Sequence, residues 1–389
     1  MDLGGLDLER IRRLGRWGLW VLGLVLVLSA LGWAGGFYAD WLWFRELGYE
    51  SVLLEIVTTR VFLFLAAFVV FLLVALPNLY TGVRYAGRPR LPTSPLEPFE
   101  YDTARTLIVR AALALLVGVG LLLALGPTSE WETVLLALNA VPFGEADPVF
   151  GRDFSFFVFT LPALRLAHAW LLTAVVIVGL ILLAFYYLVE RFRGEPELFG
   201  RDVRRRLAVM GAMIFLLIAA GHWLGRYELL FSATGTVFGV GYTDAHVNLP
   251  GRTFLAVVAL VTAGCVFYGA TWGRGYGWIA WPVAGWAALV FLVGTVAPGL
   301  VQRLRVEPSE LALEREYLAE NIEYTRKGFG LDGLQARSHP AGGEIDAATI
   351  EDNRATIRNI RLWDEGPLLQ SYNQIQFFRL YYDLSLIHI

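Results

Sequence analysis

Apolar residues in this chain come in long unbroken runs rather than in the short alternating or helical stripes of a soluble domain. Seven such runs, at roughly 17–38, 61–80, 107–126, 168–189, 207–225, 253–271 and 278–301, are long enough to cross about 30 Å of hydrocarbon as helices. Backbone polar groups inside a bilayer must be satisfied within the segment, so each run is expected to be helical. The fourth run, from His168 through Trp170 to Tyr187, is the cleanest, and the sixth and seventh are separated only by Trp272, Gly273, Arg274, Gly275, Tyr276 and Gly277, as in a tight helical hairpin.

After Gln302 the pattern becomes polar. Ser309 is placed to cap a helix from Glu310 to about Arg326, with Gly328 just past its end. Residues 338–346 read as a loop. Asp364 and Pro367 then read as the cap and first turn of a helix over 368–376, and the aromatic stretch Phe377 to Tyr382 is rich in strand formers. The fold class expected is an all-α polytopic membrane bundle of about seven transmembrane helices, followed by the start of an α+β extracytoplasmic domain. Its divisions are a cytoplasmic N-terminus over 1–16, a transmembrane domain over 17–301 and an extracytoplasmic domain over 302–389, which stops in the middle of its pattern as a truncated domain would.

Composition agrees with the pattern. Of the 389 residues 56% are hydrophobic and 17% charged, against about 45–50% and 25% in soluble domains. An excess of this size needs lipid to cover it. The N-terminal arginines Arg10, Arg12, Arg13 and Arg16 ahead of the first run resemble a signal sequence, but the run is long and no small-residue cleavage site follows, so a retained signal anchor is expected.

Charge gives an orientation. Four Arg precede the first run, four lie in the 81–106 loop, six in the 190–206 loop and one in the 272–277 turn; the alternate connections hold only Arg45, Arg60, Arg152, Arg165, Arg226 and Arg252. By the positive-inside rule the N-terminus is cytoplasmic and the polar tail extracytoplasmic, which places the protein in the plasma (cell) membrane. The connections opposite the basic loops carry Trp41, Trp43, Phe44 and Tyr49, suited to an interfacial aromatic belt. They also hold Ser129-Glu130-Trp131-Glu132, which reads as a capping box opening a short helix through Leu138. The tail from Gln302 has 10 basic and 14 acidic residues, which excludes a nucleic-acid partner. A single Cys, Cys265, excludes an internal disulfide.

Several longer motifs resemble a known family. They are Asp40 to Tyr49 (DWLWFRELGY), Asp147 to Phe157 (DPVFGRDFSFF), Gly241 to Asp244 with Leu249-Pro250, Asn321-Ile322 with Thr325-Arg326 and Phe329 to Asp332, Asn359 to Asp364, and Pro367 to Tyr372. Together they resemble the large bacterial membrane proteins grouped as uncharacterised protein family (UPF) zero-one-eight-two. The resemblance implies seven N-terminal spans, then a big extracytoplasmic domain in a chain more than twice this length. It implies no reaction. The closing residues Asp383 to Ile389 depart from the acidic continuation that the family pattern leads one to expect.

Chemistry has few places to sit. Arg110 is the main ionisable residue inside a run, near enough to one surface to snorkel. Pro282 and Pro298 both fall in the last run with no counterpart earlier, unlike the paired broken helices of secondary transporters. The Gly-x-x-x-Gly pairs Gly221/Gly225 and Gly269/Gly273 suit close helix packing. No catalytic constellation is visible: Ser155 and Ser232 lack a His at an interpretable spacing, and there is no phosphate loop and no Cys cluster. No cofactor is expected. Asp147, Asp153, His168, His222, Asp244 and His246 all fall on the side opposite the basic loops and are the candidate metal ligands, since His and carboxylates suit Zn²⁺ and Asp with carbonyls suits Ca²⁺. Their spacing matches no metal motif, and turn capping by the acids is the competing explanation. The expected function is a membrane-anchored scaffold or binding protein of the bacterial cell envelope, non-enzymatic, with the lipid bilayer as its medium and an envelope protein or a second copy as its partner. The alternatives are a transporter or channel, and an enzyme with its site in the outer loops or beyond this chain.

Overall fold

A computed structural model describes residues 8–87, 97–193, 199–235, 237–272, 277–335, 337–338, 345–360 and 364–375. The chain forms two compact units, Met1–Thr325 and Arg326–Ile389. Within the first, seven helices are long and apolar enough to cross a membrane, as expected of a multi-pass membrane protein. They are α1 (Leu8–Glu46), α2 (Glu50–Ala86), α3 (Glu97–Ser129), α5 (Leu161–Arg193), α6 (Arg201–Gly225), α7 (Leu249–Thr271) and a last, compound helix. The short α4 (Trp131–Leu138) lies between α3 and α5.

The spans are helical because their apolar runs leave the backbone no partner but itself. Their outward faces remain uncovered by protein: Phe62, Leu73, Leu107 and Leu122 are all exposed, as side chains solvated by lipid tails must be. Two cores hold the helices together. Phe71, Leu79, Leu116, Val178, Leu182, Phe185 and Met210 join α2, α3, α5 and α6. Phe215, Ala259, Ala263 and Val266 join α6 to α7, with Ile279, Val283 and Trp286 of the last helix packed against them. Polar cross-links add to this. Trp170 Nε1 donates to Leu123 O at 2.9 Å, and His168 Nε2 lies 2.7 Å from Leu217 O. Interhelical bonds of this kind are worth roughly 0.6–2 kcal/mol each in a bilayer.

The small residues work at close contacts. A Cβ on Gly221 would lie 2.9 Å from the His168 ring, and one on Gly269 would lie 2.8 Å from both Cβ and the backbone oxygen of Trp278.

Where the sequence predicts a span ending near 301 and a separate helix capped by Ser309, the chain instead stays helical from Gly277 to Gly328. It passes through α8 (Gly277–Phe291), a π turn (Leu292–Val296), α9 (Ala297–Val301), a second π turn (Gln302–Val306), a 3₁₀ turn (Glu307–Ser309) and α10 (Glu310–Gly328). The wider turns flank Pro298 and precede Pro308, residues without an N–H to donate, and let the helix continue past them. Ser309 therefore caps nothing. The capping box at Ser129 also fails: α3 runs through Ser129, whose Oγ donates back to Gly126 O at 2.8 Å, and α4 has no side-chain N-cap bond.

The second unit contains α11 (Ala347–Asp352), α12 (Arg354–Arg358) and α13 (Glu365–Ile375). Asp346 caps α11 through the Thr349 N–H at 2.7 Å. Helix α13 matches the expectation from Asp364 and Pro367. Among the described residues there is no strand, only an isolated bridge between Ala146 and Asp153. The predicted strand at 377–382 and most of the predicted loop at 338–346 lie outside the described residues.

Candidate functional site

Alternation of the helices gives the bundle two ends. One, the basic end, carries Arg84 at the close of α2, Arg191 and Arg193 at the close of α5, and Arg201 to Arg206 opening α6. The other, the loop end, carries α4, the connection 139–155, the connection 226–248 and the start of α10. All six candidate ligands are at or near the loop end.

Asp147 and Asp153 build the first loop. Asp153 takes the backbone N–H groups of Phe143 (3.0 Å), Gly144 (2.9 Å) and Ser155 (2.8 Å). Hydrogen bonding from the Ser155 hydroxyl, then from the Ser155 and Phe143 N–H groups, stabilises its charge and lowers its pKa to about 2. Asp147 accepts on Oδ2 from Val149 at 3.1 Å and Phe150 at 2.6 Å, an Asx turn of the kind that an Asp-Pro pair favours. It is only 2% exposed, and burial raises its pKa despite those bonds. Beside it Phe150, Phe156, Phe157 and Tyr227 pack as an aromatic knot, with the Arg152 guanidinium 4.6 Å from the Phe156 ring centre and 5.3 Å from that of Tyr227.

Asp244 and His246 are similarly occupied in the second loop. Asp244 receives Asn248 Nδ2 at 2.6 Å. His246 stacks on Tyr242 at 4.1 Å between centroids, its Nδ1 3.1 Å from Tyr242 O. His168 is held by α6 through Leu217, and His222 sits beside Trp286, 6.3 Å between centroids. The acids thus hold turns, and the structure does not bring the six side chains to one point. Among the described residues no three His, Cys, Asp or Glu form a group that could hold a metal ion.

The structure instead assembles groups that the sequence pattern does not single out. Glu314 of α10, 1% exposed, receives the Tyr242 N–H on both carboxylate oxygens. Thr243 Oγ1 donates to Gln302 Oε1 at 2.6 Å, Asn321 Nδ2 to Phe238 O at 2.9 Å, and the Tyr324 hydroxyl to Ala146 O at 3.5 Å. The two loops therefore form a seat along which the start of α10 lies. Nearby, Arg165 of α5 pairs with Glu228, and Arg252 of α7 lies 3.6 Å from the same Glu228 oxygen while donating to Gly225 O at 2.5 Å. At the basic end Glu190, 2% exposed, accepts from Phe199 N at 2.6 Å, Gly200 N at 3.2 Å and the Tyr85 hydroxyl at 3.2 Å. It thereby places a carboxylate at the N-terminus of α6, where the helix dipole favours it. An isolated Glu in a polar connection looks solvated in sequence, and only its long-range partners separate Glu190 and Glu314 from their neighbours.

No solved structure matches this chain. Relatives do. The chain is 31% identical to a UPF0182 protein of Desulforamulus reducens over 96% of its own length and 42% of the relative's. It is 36% identical to relatives of the same description in Synechococcus sp., over 95% of the chain and 43% of the relative, and Cupriavidus necator, over 95% and 41%. The chain thus spans about two fifths of the length of these curated relatives. A family model matches residues 17–389, and the chain belongs to the Uncharacterised protein family (UPF0182).

Proposed function

We propose that this chain is a membrane anchor of the bacterial envelope whose last span continues past the membrane as a helix seated on the inter-span loops, with the polar segment beyond it serving binding or assembly. The observation that carries this reading is the seating of α10. A 52-residue helix, Gly277–Gly328, is apolar where it would cross lipid, and its polar end is held against two inter-span loops through the buried Glu314. A flexible tether would need no such buried carboxylate, because exposing a solvated linker costs nothing. Arginine distribution supports a cytoplasmic N-terminus and an extracytoplasmic loop end. On this reading the tail beyond α10 belongs to an extracytoplasmic segment, and an envelope protein or a second copy is the partner that such an anchor fits.

The test combines protease access with Glu314→Gln. In intact spheroplasts, added protease is expected to remove the tail beyond 326 while leaving 302–325 attached to the bundle. In Glu314→Gln, cleavage is expected to move into 302–325. A tail protected in spheroplasts, or identical cleavage in both proteins, overturns the reading.

A transporter is the second reading, and one observation favours it. Arg165 and Arg252 are ionisable groups within helices long enough to span, and such groups mark transport paths often enough to be worth testing. Against it, both arginines meet Glu228 at the loop end, while the shared helix contacts deeper in the bundle are apolar.

A further inference from the structure

Helix α2 carries an apolar groove on its outer face. Val69, Leu72, Leu73, Leu76, Pro77 and Tyr80 line it, and it holds about 390 Å³, within the roughly 300–1,000 Å³ of small-molecule sites. Val69, Leu73, Leu76 and Tyr80 are exposed, so the groove opens outward from the bundle. From Val69 to Tyr80 a helix rises about 16 Å, close to half of the ~30 Å hydrocarbon core. The groove is therefore about as long as one leaflet is deep. It has one polar end. Arg84, one turn beyond Tyr80, lays its guanidinium 5.1 Å from the Tyr80 ring centre. Val69, Leu73, Leu76, Tyr80 and Arg84 follow at three- and four-residue steps and so share a face. Arg84 is exposed and belongs to the basic end. Two acids of that end are engaged elsewhere: Asp102 pairs with Arg105, and Glu190 is buried on the Phe199 and Gly200 N–H groups. Arg84 itself makes no ion pair among the described residues.

We propose that this face of α2 is a site for one anionic phospholipid, with an acyl chain along Val69 to Tyr80 and its phosphate at Arg84. Charge chooses the occupant. A second copy of the chain laying an apolar helix in the groove would leave Arg84 without a counter-charge. An anionic headgroup supplies that charge at the depth where the hydrocarbon ends, and a guanidinium matches phosphate oxygens two at a time. A zwitterionic lipid fills the same groove but brings no net negative charge, so phosphatidylglycerol is preferred over phosphatidylcholine. The inference needs only that α2 spans a membrane; it holds for either orientation of the bundle and whatever α10 does.

The experiment counts lipids bound to the full chain in a neutral detergent by native mass spectrometry, after addition of phosphatidylglycerol or of phosphatidylcholine with the same acyl chains. One phosphatidylglycerol per chain is expected to be retained in preference. The preference should fall about fivefold in Arg84→Gln and stay unchanged in Arg60→Gln, whose guanidinium lies over Trp131 near the other end of α2. Val69→Trp, which fills the inner part of the groove, should weaken retention with Arg84 intact. Both substituted positions are exposed, so neither change disturbs the core. Inorganic phosphate should not displace the lipid, since it brings no acyl chain. Equal retention of the two lipids, an unchanged preference in Arg84→Gln, unchanged retention in Val69→Trp or displacement by inorganic phosphate overturns the proposal. Dimers of wild type that dissociate in Val69→Trp would assign the groove to a second copy instead. A chain soluble without detergent would overturn the spanning of α2, and the proposal with it.

Discussion

Glu314 Oε1 and Oε2 lie 3.2 and 3.1 Å from the backbone nitrogen of Tyr242, 72 residues earlier in the chain. The contact is tight on both sides: a Cβ on Gly241, the preceding residue, would stand 3.1 Å from Glu314 Oε2. Loop and helix approach closely here, with Glu314 reaching the backbone and Gly241 leaving room for its carboxylate.

Removal of the carboxylate should leave the Tyr242 N–H buried and unpaired. Glu314→Ala is expected to destabilise the protein by about 1–3 kcal/mol, lowering the thermal midpoint in detergent. Gly241→Ala should act in the same direction by crowding the same oxygens. Amide exchange across 310–325 should rise in both variants. An unchanged midpoint in Glu314→Ala would show that the contact contributes nothing.

The α7–α8 hairpin gives a sharper steric contrast. A Cβ on Gly269 would meet the Trp278 backbone oxygen at 2.8 Å and its carbonyl carbon at 3.0 Å, and backbone cannot rotate aside. Gly264, five residues away on the same helix, has nothing within 4 Å. Gly269→Ala is expected to cost about 1–3 kcal/mol by overpacking. Gly264→Ala should be neutral or slightly stabilising, since Ala is the better helix former. Midpoints of the two variants measured side by side check this.

The number of spans was legible in the sequence because the signal is additive: some twenty apolar residues in a row outweigh any local ambiguity. The short α4 and the start of α13 were legible as well. What was not legible depended on continuity or on distant partners. The helix through Val301 and Ser309 looked broken because polar composition and Pro308 imitate a boundary, whereas π and 3₁₀ turns carry the chain past both prolines. Ser129 carried the right residue type for a cap but sits inside α3. Asp147 and Asp153 were correctly suspected of capping turns, yet their burial difference has no sequence signature. Glu190, Glu314 and Glu228 were missed because each of their partners is supplied by another helix or loop.

Asp147 and Asp153 should respond to acid in opposite senses. Asp153 has a folded pKa of about 2, below the unfolded value near 3.9. Its contribution to stability is present above the unfolded pKa and lost as pH falls through the folded one, so the loss falls between about pH 4 and 2. Asp147, whose pKa is raised by burial, is favoured in its protonated form by the folded state, so its cost appears as pH rises through the unfolded value toward the folded one. Asp153→Asn should therefore flatten the acid limb of the thermal midpoint, and Asp147→Asn should remove a penalty seen at neutral pH. Acid limbs indistinguishable from wild type in both would contradict these assignments.

Orientation is the remaining prediction. The basic end carries Arg84, Arg191, Arg193 and the Arg201 to Arg206 cluster, and the loop end carries few unpaired positive charges, with Arg165 and Arg252 sharing Glu228 and Arg152 covering aromatic rings. Basic residues flanking short connections resist translocation, so the basic end should face the cytoplasm. Cys265, the one native thiol, lies within α7 and is removed by Cys265→Ala without loss of a bond, since it is a free thiol. In that background Val141→Cys and Glu316→Cys report the loop end, and Arg201→Cys reports the basic end, all three at exposed positions. A membrane-impermeant maleimide applied to intact cells should label positions 141 and 316, while position 201 should react only after the membrane is opened. The reverse pattern would invert the bundle and place α10 in the cytoplasm. Labelling of 141 without 316 would mean that the last span does not cross in the direction that the continuous helix requires.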